Sequence, residues 1–103
     1  MVTQNGVPFL QPDELVSSVG VFKSLFADAA CYVAAIPTYV GGHMAMGWAA
    51  KDKKLRRHPV RTIAARYKKA GSFKTKYWTP EVHVAAFALP GFIAEHVNNA
   101  KKR

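Results

Sequence analysis

Two apolar runs of strand length lie within Ala30–Ala50, on either side of a break at Pro37, Gly41 and Gly42, and the polar side chains near that break are Thr38, Tyr39 and His43. Neither run alternates with polar residues. That pattern predicts a hairpin of buried strands, one ending near Pro37 and the other running from His43 to Ala50, in a sheet covered on both faces. Upstream, Met1–Thr3 leads into the turn signal Gln4-Asn5-Gly6, which leaves a stub of strand. A helix is expected from Pro12 through about Ala27. Pro12 suits a first helical position, Asp13 and Glu14 suit the positive end of the helix dipole, and Leu15, Val19, Phe22 and Phe26 share one apolar face. Gly20, inside that helix, costs about 1 kcal/mol relative to alanine.

A helix between two strands makes a crossover, so the stub ending at Gln4 and the strand ending near Pro37 should be parallel in one sheet, with the His43–Ala50 strand antiparallel. Gln4 and Tyr39 then lie at the carboxyl ends of parallel strands, where open α/β sheets bind ligands. Beyond the hairpin, Pro59 opens an amphipathic helix with Val60, Ile63, Ala64 and Tyr67 on its inner face and Arg61, Arg66, Lys68 and Lys69 outside, ending at Gly71. Thr79 caps a further helix with Pro80 and Glu81 in its first turn and Val82, Ala86 and Phe87 inward. Pro90 starts the last helix, with Phe92, Ile93 and Val97 on its apolar side. Residues 1–97 read as one segment of an α/β domain and residues 98–103 as a frayed, basic polar tail.

Composition narrows the chemistry. The chain has 103 residues, 50% of them hydrophobic and 12% aromatic, so it holds one small packed unit. Its formal net charge of +9 concentrates between Lys51 and Lys76. No helix-turn-helix spacing, zinc-ligand pattern or aromatic strand motif accompanies these cations, so they read as a solvated face before a nucleic-acid surface. The single cysteine, Cys31, falls inside a strand pattern and reads as a buried, inert thiol. No apolar run reaches the length of a membrane span and no secretory leader is visible, so the cytoplasm is the expected location. His43, His58, His83 and His96 lie on separate elements without ligand spacing, so no metal site is expected. No paired carboxylates or glycine-rich phosphate loop are present either, and catalysis by this chain alone has little support.

Three segments carry a resemblance: Gln4-Asn5-Gly6; Ala35-Ile36-Pro37-Thr38-Tyr39-Val40-Gly41-Gly42; and Tyr77-Trp78-Thr79-Pro80-Glu81-Val82-His83-Val84-Ala85-Ala86-Phe87-Ala88-Leu89-Pro90. Together, in this order, they resemble the carboxyl-terminal third of the bacterial spermidine synthases, the polyamine aminopropyltransferases. The resemblance implies the last three strands of a Rossmann-like, methyltransferase-type sheet, with the final strand antiparallel and inserted between the other two. It implies transfer of an aminopropyl group from decarboxylated S-adenosylmethionine, a co-substrate rather than a cofactor, to putrescine, giving spermidine and methylthioadenosine. It also implies that Gln4 and Tyr39 line the putrescine end of the cleft, with Pro37, Thr38, Gly41 and Gly42 as its wall. The family's donor loop and catalytic aspartate precede the residue matching Gln4. The isolated chain is therefore expected to be inactive, to expose an unpaired sheet edge, and to need the amino-terminal region or another subunit; the complete enzyme is expected to be a homo-oligomer. The alternatives are a small basic protein that binds nucleic acid or another polyanion, and a non-functional remnant.

Overall fold

Pro12 opens a helix as its ring and the two acids behind it predict, and around that helix a small α/β unit is assembled. The computed structural model describes residues 1–38 and 40–103; Tyr39 lies outside the described residues. In chain order the elements are strand β1 (Val2–Gln4), helix α1 (Pro12–Leu25), strands β2 (Asp28–Ala35) and β3 (His43–Ala50), a single 3-10 turn (Leu55–Arg57), and helices α2 (Val60–Lys69), α3 (Pro80–Ala85) and α4 (Gly91–Asn99). The sheet order is β1-β3-β2, with β3 antiparallel to both neighbours. β1 and β2 therefore run in the same direction with the returning strand between them, as the crossover and the resemblance imply.

The pleat divides the hairpin into two faces. Cys31, Val33 and Ala45 point to one side and join Leu15 and Val19 of α1 with Ile93 and Val97 of α4 in the buried core. The other face carries Tyr32, Met46 and Trp48, all half-buried, so cover on both faces is only partial. Phe87 closes part of it, with its ring edge-on to Tyr32 at 5.3 Å and to Trp48 at 5.4 Å. The outer edge of β2 is tied off. The Val33 amide donates to the Ala86 carbonyl at 3.0 Å and the Ala35 amide to the Tyr77 hydroxyl at 3.1 Å, which satisfies groups that an edge strand would leave bare.

The caps follow the sequence closely at one helix and less so elsewhere. Thr79 Oγ1 accepts from the Val82 amide at 3.0 Å, with Pro80 at the first position of α3. α1 stops at Leu25, two residues before the expected end, because Phe26 is already extended (φ −127°, ψ 153°) as the chain turns into β2. Phe26 is thus off the apolar stripe and packs edge-on to Phe22 instead. Phe92, expected on the inner side of α4, is 42% exposed and meets Phe9 edge-on at 6.3 Å.

The residues expected to fray from Asn98 onward are in part packed: α4 continues to Asn99, and Ala100 is buried in the core. Lys23 of α1 holds this end in place. Its ammonium donates to the carbonyls of Val97 and Ala100, both at 2.7 Å, pairing a cation with the negative end of α4. The backbone then runs across α1, where the Arg103 amide donates to the Gly20 carbonyl at 3.2 Å. A methyl group on Gly20 would stand 2.5 Å from the Lys101 carbonyl oxygen, so the glycine that weakens the helix is what lets the chain end lie against it.

Candidate functional site

The loop from Asn5 to Gln11 carries the chain from the carboxyl end of β1 to the amino end of α1, and its start is anchored. Asn5 is buried; the Thr3 hydroxyl donates to Asn5 Oδ1 and Asn5 Nδ2 donates to Ser18 Oγ, both at 2.7 Å. Gly47 of β3 leaves room for this pair, since a methyl group there would lie 2.2 Å from Asn5 Oδ1. The neighbouring side chain, Gln4, points to the other face, opposite Met46, and is exposed.

A cavity of about 490 Å³ opens where β1 and β2 end. It brings together Gln4 and, from the hairpin turn, Thr38 and Gly41. Gly41 fits closely against the loop: a methyl group there would stand 2.4 Å from Val7 Cγ1 and 3.0 Å from Leu10 Cδ1. Pro37 and Gly42, expected in the same wall, do not line the cavity, and both are exposed. Tyr39 lies outside the described residues. Val7 and Met44, both buried, form an apolar floor.

Two lining residues were not read from sequence as site residues: Glu14 was read only as part of a helix start, and Gln11 was not singled out. Gln11, the cap residue of α1, and Glu14, in its first turn, reach over Gly6. Gly6 has φ +73°, a conformation that favours glycine, and a methyl group on it would lie 3.0 Å from Glu14 Oε2 and 3.2 Å from Gln11 Oε1. The signal that could have found them is the short loop. A helix that starts eight residues after Gln4 must return its first turn over the end of that strand. Among the described residues, the side chains of Gln4, Gln11, Glu14 and Thr38 make no hydrogen bond with the protein, and Glu14 has no ion pair. The described lining carries one carboxylate and no lysine, arginine or histidine, in a chain whose net charge is +9. Acceptors above an apolar floor suit a ligand with donor ends and an aliphatic body.

Other chemistry is sparse. A second cavity, of about 300 Å³, is walled by aromatic rings including Tyr32, Trp48, Trp78 and Phe87. His83 sits in its wall and accepts from the Trp78 indole at 3.2 Å. Cys31 is buried, and burial pushes its thiol from an ordinary 9.0 up to about 11. Among the described residues no cluster of three potential metal ligands is found, and no helix is long and apolar enough to cross a membrane. The outer face of α2 leaves Arg61, Arg66, Lys68 and Lys69 exposed. Arg56, from the same basic segment, turns inward to Asp28.

No family model matches the chain. Individual proteins do. A polyamine aminopropyltransferase of Ruegeria sp. (strain TM1040) is 55% identical over 93 residues, covering 90% of this chain and 32% of that protein. The chain is related to polyamine aminopropyltransferases. A polyamine aminopropyltransferase of Pseudomonas syringae pv. tomato is 46% identical over 100 residues, covering 97% of this chain and 35% of that protein. Polyamine aminopropyltransferase 1 of Pseudomonas aeruginosa is 39% identical over 97 residues, covering 94% and 34%. The chain thus spans about a third of the length of the curated relatives that it matches.

Proposed function

We propose that this chain is the carboxyl-terminal segment of a spermidine synthase and carries the amine-acceptor wall of an aminopropyltransferase site. What supports this reading is one cavity at the ends of β1 and β2 that gathers Gln4, Thr38 and Gly41, in a chain related over its length to polyamine aminopropyltransferases. Gln4 and Tyr39 serve the putrescine end. The Gln4 amide oxygen accepts from an ammonium group, directly or through water, while Tyr39 covers the aliphatic body and offers its hydroxyl.

The reaction of the complete protein is displacement at the activated methylene of decarboxylated S-adenosylmethionine. The attacking amine of putrescine forms the new carbon–nitrogen bond, methylthioadenosine leaves, and the amine's proton passes to a base. That base and the donor-binding loop belong to the part of the relatives' length that this chain does not span. The isolated chain is therefore inactive, its partner is that preceding region or a second subunit, and the assembled enzyme is a cytoplasmic homo-oligomer.

The experiment supplies the preceding part of the Ruegeria relative in trans and follows methylthioadenosine release with putrescine and decarboxylated S-adenosylmethionine. Activity is expected in the assembled complex and in neither part alone. A soluble, assembled complex without activity would overturn the proposal.

A further inference from the structure

We infer that Glu14 and Gln11 form a second amine anchor in the cavity at the ends of β1 and β2, holding the unreacting ammonium of a linear diamine over Gly6. The inference rests on the reading of this cavity as an amine site. It adds residues that the three resembling segments do not contain.

The geometry is specific. Two oxygen atoms, Glu14 Oε2 and Gln11 Oε1, approach one point above Gly6, at 3.0 and 3.2 Å from where a β-carbon would sit. A side chain on Gly6 would crowd both oxygens and would be strained at a backbone φ of +73°, so glycine lets them approach the backbone this closely. Glu14 has no cationic partner among the described residues, and the described cavity lining offers none. An ammonium group on the cavity side of these two oxygens meets a carboxylate and an amide oxygen, the charge-assisted pairing that ammonium donors favour. Val7 and Met44 lie beneath the methylene chain, and Gln4 and Thr38 stand elsewhere on the same wall. A monoamine could use the reacting end of the site but would lack the second charge that Glu14 reads. Selection for a diamine is the consequence.

The test measures KM for 1,4-diaminobutane in the complex assembled from this chain and the preceding part of the Ruegeria relative. Replacing one charge-assisted partner, Glu14→Gln is expected to raise that KM about tenfold while kcat and the KM for the aminopropyl donor stay within about twofold. Glu14→Asp should recover part of the loss. Because salt screens exposed charges, the gap between wild type and Glu14→Gln should narrow as salt is raised. A diamine KM for Glu14→Gln within about twofold of wild type would overturn the anchor and leave the amine-site reading standing. If the wild-type complex is inactive, the reading fails, and a nuclear magnetic resonance titration of the 103-residue chain with 1,4-diaminobutane decides the anchor by itself. Shifts at the Gly6 and Glu14 amides that vanish in Glu14→Gln support it; no shifts in the wild-type chain overturn it.

Discussion

Asp28 shows how one residue ties several elements together. It is 4% exposed, accepts from Arg56 at 2.8 and 2.9 Å and accepts from the Trp48 indole at 3.1 Å, so it links the start of β2 to β3 and to the segment after it. Removing one partner of such a buried pair strands the other, and Asp28→Ala is expected to cost about 3 kcal/mol, read as a lower urea midpoint with a shifted Trp48 emission. Arg56→Lys should cost about 1 kcal/mol, since an ammonium cannot donate the same planar pair of bonds. Cys31 sets a pH dependence. Its folded pKa is raised, so the native state keeps a proton that the unfolded chain loses first; its contribution is complete below the ordinary value of 9.0 and is lost as pH rises toward about 11. Wild type should therefore lose about 2 kcal/mol relative to Cys31→Ala between those limits, seen by comparing their urea midpoints across the alkaline range. Equal slopes for the two proteins would refute the assignment.

At the scale of elements, much of the fold was legible because local signals and tertiary packing agree. Pro12 with Asp13 and Glu14, Thr79 with Pro80, and the apolar runs around Gly41 and Gly42 each placed an element that the structure contains. The misses are long-range. Gly20 read only as a weak point in its helix and Lys23 was not singled out, yet both receive the chain end from far along the sequence. Nothing local in Asn98 to Arg103 announces that contact. In the site, the place of Gln4 was legible from strand direction and that of Thr38 came with the resemblance, whereas Glu14 was masked by its usual role beside a helix dipole. Gly20→Ala separates the local signal from the packed one. Helix propensity alone makes it stabilising by about 1 kcal/mol. The contact with the Lys101 carbonyl at 2.5 Å predicts the opposite: a lower urea midpoint and rapid hydrogen exchange at the Arg103 amide, which is bonded to Gly20 in the native chain. A raised midpoint with that amide still protected would rule the contact out.

At the scale of the whole molecule, one sheet edge is tied off and, among the described residues, the other is open. β2 is closed by Ala86 and Tyr77, but β1 ends the sheet order on the other side. The amide of Asn5 donates to Ala45 and the carbonyl of Met1 accepts from Ala49, so these residues face β3. By the alternation of an antiparallel ladder, the backbone groups of Val2 and Gln4 face away from it. Beside that edge, Val2 is 49% exposed and the Tyr32–Trp48 face is only half covered. An unpaired edge next to apolar surface is a template for another strand. The chain on its own is therefore expected to associate with itself as concentration rises, sedimenting above the 11.3 kDa of one copy. Val2→Pro tests the route. Proline removes an amide that points away from β3, so the β1–β3 ladder should survive while pairing at the outer edge is blocked. The expected result is a monomer with an unchanged circular dichroism spectrum, and loss of assembly with the preceding region when that is supplied in trans. Self-association that persists undiminished in Val2→Pro would move the contact off this edge and onto the aromatic face around Trp48.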